Sequence, residues 1–161
     1  MGARRTTLET RPNPQMTWGT VFIYGAAAGF LGVAAMTATE KIEQFFTSRP
    51  SSNVPGYTLA KLVGARPQPG RDLWSWNMAM HYGQGAAAAV IRGAMSYSGV
   101  RGPFADFMFM GMRLAIDQTL ENWTGVGSPP WTWPVDEQVV DLLHKFVFAF
   151  VTGYLADRWI Q

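Results

Sequence analysis

One stretch decides the fold: residues 17–38, which read TWGTVFIYGAAAGFLGVAAMTA. It contains no charged side chain, and a helix needs about 20 apolar residues to cross the hydrocarbon core of a bilayer. Trp18 and Tyr24 lie near its start, and such side chains favour the membrane interface. A surface helix of a soluble protein needs a polar face, which this stretch lacks over most of its length. The stretch therefore predicts a membrane-spanning helix.

The composition agrees with a membrane protein and excludes several other classes. The 161 residues are 48% hydrophobic and only 15% charged, whereas soluble domains carry about 25% charged residues. The absence of cysteine excludes disulfide frameworks, thiolate metal sites and a cysteine nucleophile. The net charge of +2 is dispersed, so we expect no nucleic-acid partner. The first apolar stretch is also longer than the core of a cleaved signal peptide, which spans about 7–15 residues.

Three further long helices are predicted downstream, with a short helix at residues 57–63 between the first and second. We expect the second over residues 73–97, capped by Asp72, the third over residues 103–123, and the fourth over Val135–Trp159. Segments rich in glycine and proline separate them. We therefore predict an all-α protein, an integral membrane four-helix bundle. A single domain would cover residues 17–161, after a flexible segment at residues 1–16.

Hydropathy alone leaves part of this prediction open. The first helix is a strong span, the second and fourth are moderate, and the third is weak, so a soluble four-helix bundle is an alternative. Basic residues lie on both sides of the predicted spans and only slightly favour cytoplasmic termini. The membrane would be the endoplasmic reticulum or a bacterial inner membrane.

Gly25 and Gly29 form a GxxxG spacing, which suits close packing against another helix or a homodimer.

Polar side chains recur on one face of each predicted helix. Steps of three and four residues place side chains on a common helix face. A charge at mid-bilayer costs roughly 3 kcal/mol, so we expect these groups to pair with one another in a common interior. The aligned residues are Glu40 on the first helix, Asn77, His81, Gln84 and Arg92 on the second, Asp106, Arg113 and Asp117 on the third, and Glu137, Asp141 and His144 on the fourth.

Such a set of charges suits acid/base chemistry. An arginine between carboxylates keeps one ionised as a base, while a desolvated carboxyl stays protonated as an acid. This combination fits the attack of water on an epoxide whose ring oxygen is protonated. We therefore predict a cofactor-free and metal-free enzyme that hydrolyses or cyclises epoxides of a lipophilic small molecule. The predicted catalytic residues are Asp117, Arg113, Asp106, Asp141, His144 and Glu40, and the predicted substrate-binding residues are Asn77, His81, Tyr82, Gln84 and Arg92.

The sequence is also compatible with other functions. His81 and His144, with Asp141 and Glu40, could bind a metal ion, or the two histidines a haem, although no HxxxH or ExxH motif occurs. The main alternative to an enzyme is a non-enzymatic membrane protein, either a proton-linked transporter or a structural partner. Four helices are few for a transporter, which would have to oligomerise. Membrane lipids are expected partners in every case.

Residues 125–134 read GVGSPPWTWP and precede an acidic helix start at Asp136 and Glu137, with His144 before an aromatic-rich span. In these features the C-terminal half resembles the YagU-like family of bacterial inner-membrane proteins, which implies a helical membrane fold and no particular activity. The residue types of Asp106, Arg113 and Asp117 resemble the Asp-Arg-Asp set of limonene-type epoxide hydrolases, which are soluble and have another fold. In size and character the chain also resembles small membrane-associated epoxide hydrolases and cyclases of fungal natural-product pathways.

Overall fold

The computed structural model describes residues 16–68 and 70–161, and within these ranges it contains helices and no strand. The all-α prediction is therefore confirmed for this part of the chain. The segment predicted to be flexible, residues 1–16, lies almost entirely outside the described residues. The helices are α1 (Trp18–Thr47), α2 (Val54–Val63), α3 (Arg71–Tyr97), α4 (Gly102–Trp123) and α5 (Val135–Trp159), with one 3-10 turn at Pro130–Thr132.

Local sequence signals set the ends of these helices. The side chain of Thr17 caps α1 by accepting a hydrogen bond of 3.2 Å from the amide of Thr20. Gly64 ends α2 with a φ of 72°, a left-handed conformation that glycine adopts at little cost. Gly70 occupies the cap of α3, so Asp72 lies in the first turn and not at the cap position that we predicted. A carboxylate there still complements the helix dipole.

The long helices run in alternating directions and pack against one another around two apolar clusters. α1 contacts α3 and α5, α4 packs on α5 and α3, and α2 lies against α3. We call the end of the bundle that carries the segments at 48–68 and 124–134 the loop end, and the opposite end the terminal end. The centre of the core is apolar and fully buried at Val33, Ala89, Phe109 and Phe148.

Small residues bring α1 and α3 into close contact. A Cβ atom on Gly29 would overlap Ala89 and the backbone oxygen of Gly85, and one on Gly25 would press on the backbone of Ala89. The GxxxG face of α1 is thus occupied by α3 of the same chain. A homodimer, which this face suggested in the sequence, would have to use another surface.

In the part of the chain that the structure describes, two helices, α1 and α5, are long and apolar enough to cross a membrane. Only 39% and 33% of their most apolar windows are buried within the chain, whereas a core helix of a soluble protein is mostly buried. Large apolar side chains such as Phe30 and Leu31 face outward, while Arg92 and Arg113 are buried. The exposed apolar faces of two helices of sufficient length support association with a membrane.

Candidate functional site

A cavity of about 350 Å³ lies at the loop end of the bundle. α1, α3, α4 and α5 form its walls together with the start of α2 and the segments that join α1 to α2 and α4 to α5. Its volume falls within the range of about 300–1,000 Å³ that is typical of small-molecule sites. The polar side chains that line it are Glu40, Arg49, Ser52, His81, Gln84, Arg113, Asp117, Glu121, Ser128, Glu137, Asp141, His144 and Lys145.

Asp117 is contacted by one hydrogen-bond donor and two cationic groups, which come from three helices. Gln84 on α3 donates a hydrogen bond of 2.8 Å to its Oδ1 atom, and Arg113 on α4 places Nη1 2.7 Å from the same oxygen. Lys145 on α5 places Nζ 3.1 Å from Oδ2. Asp117 is only 5% exposed. The carboxylate is therefore fixed in position by contacts that depend on the packing of α3, α4 and α5.

Lys145 connects two carboxylates of the cavity. Besides its contact with Asp117, its Nζ donates a hydrogen bond of 2.7 Å to Oδ1 of Asp141, one helical turn earlier on α5. Arg113 lies over the ring of Phe148, 5.3 Å from its centroid, and its Nε and Nη1 atoms are buried without a hydrogen-bond partner among the described residues, so that Nη1 contacts Asp117 as an ion pair only. The cationic groups are thus held by protein contacts beside the cavity.

A second group of polar side chains lines the α1 side of the cavity. His81 Nε2 lies 3.9 Å from Oε2 of Glu40, and Gln44 donates a 2.8 Å hydrogen bond to the other oxygen of Glu40. Arg49 donates hydrogen bonds of 3.2 and 2.9 Å to Oε2 of Glu43. That hydrogen-bonded carboxylate raises the pKa of the Arg49 guanidinium, which stays charged.

His144 and Glu121 line the cavity with unsatisfied polar groups. His144 is 8% exposed, and its Nε2 atom is buried without a partner in the described part of the chain. Glu121 follows Asp117 by one turn of α4 and forms no hydrogen bond or ion pair there through its side chain. Gly127 packs so closely on Glu121 that a Cβ atom would overlap it. Both groups are available to a bound molecule.

A separate cluster of charges lies toward the terminal end. Arg92 donates hydrogen bonds of 3.0 and 2.8 Å to Oδ1 of Asp106 and two of 2.9 Å to the carboxylate of Asp157. Ser96 donates a 2.6 Å hydrogen bond to Asp157 as well. Gly153 leaves room for the ion pair, since a Cβ atom would overlap Asp106. We call Arg92, Ser96, Asp106 and Asp157 the Arg92 cluster.

The polar faces therefore form two centres, and the single common interior that we predicted is wrong. Phe109 lies between Asp106 and Arg113 on the same face of α4, and its ring packs 5.6 Å from that of Phe148. The aromatic pair separates the Arg92 cluster from the cavity. Helical periodicity places residues on one face but does not report what lies between them along the axis.

Several predicted site residues lie away from the cavity. Asp106 and Arg92 pair with each other in the Arg92 cluster. Asn77 holds α2 in place, because its Nδ2 donates a 2.7 Å hydrogen bond to the backbone oxygen of Ser52 and its Oδ1 accepts one from the amide of Gly56. Tyr82 packs against the ring of Phe30, 4.6 Å away. The predicted residues that do line the cavity are Glu40, His81, Gln84, Arg113, Asp117, Asp141 and His144.

The predicted site residues left out four charged residues of the cavity: Arg49, Glu121, Glu137 and Lys145. Glu137 was predicted on the polar face of the fourth helix but not as a site residue. Glu121 and Lys145 carried a usable signal, because each lies four residues after a predicted site residue on the same helix, after Asp117 and Asp141. Arg49 lies in a loop, where periodicity gives no information. Within the described ranges, no three histidine or acidic side chains are grouped so as to hold a metal ion.

Comparisons with known proteins found no matching family model, no matching curated protein and no matching solved structure.

Proposed function

We propose that α1, α3, α4 and α5 form a four-helix membrane bundle whose cavity lies near one membrane boundary. Support comes from the apolar outward faces of α1 and α5 and from the burial of charged groups between the helices. Aromatic side chains favour the interface between hydrocarbon and water, and several are exposed toward the loop end. They are Phe45, Phe46, Trp74, Trp123 and Trp131.

We propose further that the protein is an enzyme that opens epoxides of lipophilic small molecules, by hydrolysis or by cyclisation. One observation carries this proposal. The carboxylate of Asp117 and the ammonium group of Lys145 lie 3.1 Å apart in a cavity that also has apolar walls. A base and a proton donor thus lie side by side, fixed by helices. The apolar lining that would contact the substrate comes from Met36, Val54, Pro55, Val126, Trp133 and Val140.

The reaction uses these two groups in turn. Asp117 accepts a proton from a water molecule as the water oxygen attacks an epoxide carbon. The bond from that carbon to the ring oxygen breaks, and the ring oxygen takes a proton from the Lys145 ammonium group. A diol results, and the proton on Asp117 returns to Lys145. In cyclisation a hydroxyl group of the substrate replaces water, so that an ether results.

The remaining residues position these groups. Arg113 and Gln84 hold Asp117 through its Oδ1 atom, and Asp141 holds Lys145. Their loss would misplace the base or the proton donor, and small displacements are costly in catalysis. Glu40, His81 and His144 line the cavity near α1 and α5, where they can form hydrogen bonds to oxygen atoms of the substrate.

The test uses the full chain, purified and placed in nanodiscs of zwitterionic lipid, with lipophilic epoxides such as limonene oxide and styrene oxide. We expect diol or cyclic ether by mass spectrometry. Lys145→Met should lower the rate at least 100-fold, the lower range of general acid–base contributions, whereas Lys61→Met on the exposed surface of α2 should leave it unchanged. Uptake of the epoxides into protein-containing liposomes without any chemical change would contradict the proposal and favour a transporter.

A further inference from the structure

The charges that line the cavity do not balance. Among the described residues, five carboxyl side chains line the cavity. Of the three cationic side chains in the lining, Arg113 and Lys145 pair with carboxylates of the cavity itself. The third cation of the lining, Arg49, is paired with Glu43, which is not part of the lining. The carboxyl groups are Glu40, Asp117, Glu121, Glu137 and Asp141.

Glu121 is the carboxyl group of this set that is half-buried and has no partner. Asp117 and Asp141 are paired with cations, Glu40 contacts His81 and Gln44, and Glu137 is exposed. The carboxyl group of Glu121 forms no hydrogen bond or ion pair within the described ranges, and Gly127 covers part of its side chain. A carboxylate removed from water without a counter-ion is costly, so this position is complementary to a cation.

An independent observation also indicates a missing ligand. His144 lines the same cavity and is 8% exposed, and its buried Nε2 atom has no hydrogen-bond partner in the described part of the chain. Buried polar groups in native proteins nearly always have partners. The donors are too dispersed to hold a metal ion within the described ranges, whereas the volume of about 350 Å³ fits an organic molecule.

We infer that the cavity binds a lipophilic amine in its ammonium form, with Glu121 as the counter-ion. Trp133 and Val126 line the cavity and provide apolar surface for the rest of such a molecule, and His144 provides a further polar contact. The inference rests on the proposed function, because it takes the cavity to be the substrate site. It narrows the substrate class to epoxides that also carry a basic amine.

The experiment compares two probes that share one skeleton, 4-phenylbutylamine and 4-phenylbutanol, at pH 7. Binding to the full chain in zwitterionic nanodiscs is measured by isothermal titration calorimetry, and empty nanodiscs correct for partition into lipid. We expect the amine to bind at least tenfold more tightly than the alcohol. Glu121→Gln, which keeps the shape of the side chain, should remove this preference, and Asp136→Asn, exposed on the first turn of α5 and outside the cavity, should keep it.

Equal affinity of the wild-type protein for amine and alcohol would overturn the inference without the use of any variant. An equal preference in the wild-type protein and in folded Glu121→Gln would overturn it too. The result is independent of turnover. Amine preference in a protein that opens no epoxide would contradict the proposed reaction only, whereas rapid opening of neutral epoxides without amine preference would contradict this inference only.

Discussion

The ammonium nitrogen of Lys145 lies 3.1 Å from a carboxylate oxygen of Asp117, so that one ion pair joins α5 to α4 inside the cavity. If these two residues act as one unit, the fold losses in rate of the two single variants should not multiply in the double variant. We expect the double variant Asp117→Asn/Lys145→Met to be no slower than the slower single variant, because catalytic groups that act together show strong non-additivity. Initial rates of epoxide opening give all four values of the cycle. Losses that multiply would show two independent contributions.

The Arg92 cluster should contribute stability and not chemistry. Arg92→Met leaves Asp106 and Asp157 buried or half-buried without their cation, and breaking a buried ion pair costs about 3–5 kcal/mol. We expect the free energy of unfolding in mixed micelles to fall by that amount. Arg158→Met, which removes an exposed arginine from the last turn of α5, is the matched control and should change it by less than about 0.5 kcal/mol. Similar stabilities of the two variants would refute the structural role of the cluster.

The contact between α1 and α3 predicts opposite effects for the same substitution at two glycines. Gly29→Ala introduces a Cβ atom that overlaps Ala89 and Gly85, and such overpacking costs about 1–3 kcal/mol. Gly83→Ala in α3 meets no atom within 4 Å and should stabilise the protein by up to about 1 kcal/mol, since alanine favours helices over glycine. Thermal unfolding of the two variants measures the difference. Equal midpoints would mean that α1 and α3 are not in close contact.

Substitutions on the outward face of α1 can distinguish a membrane bundle from a soluble bundle. Leu31 is 46% exposed near the middle of the apolar stretch, and Phe46 is 79% exposed at the end of the helix. In a bilayer Leu31→Lys places a charge at a cost of roughly 3 kcal/mol and should lower the fraction that resists carbonate extraction from membranes. Phe46→Lys should be tolerated near the headgroups. In a soluble bundle both variants would be equally well folded, and neither would partition with membranes.

The sequence predicted the helices well because their boundaries carry local signals. Gly102 and Pro103 begin α4, and α5 has the predicted bounds Val135–Trp159. The short helix α2 begins at Val54, three residues before its predicted start, where Asn77 bonds the amide of Gly56. That contact spans 21 residues of sequence, so no local pattern could reveal it.

The site was predictable only in part, for a related physical reason. Periodicity correctly placed Arg113 and Asp117 on one face, but it could not tell that Asp106, on the same face, pairs with Arg92 behind the rings of Phe109 and Phe148. Asp157, the other partner of Arg92, depends on how α5 packs on α3. Which charged residues of two helices pair in a bundle depends on the position of each residue along the bundle axis. One helix read alone does not contain that information.

The position of two aspartates on α4 offers the most direct test of the cavity as the reaction centre. Both Asp106 and Asp117 fit the sequence pattern of a catalytic base, yet only Asp117 lines the cavity. The measurement is the rate of ¹⁸O incorporation from labelled water into diol by Asp117→Asn and Asp106→Asn, each shown to be folded by thermal unfolding. We predict at least a 100-fold loss for Asp117→Asn and a rate near that of the wild-type protein for Asp106→Asn. Wild-type turnover by Asp117→Asn, or a loss confined to Asp106→Asn, would contradict the assignment of the cavity.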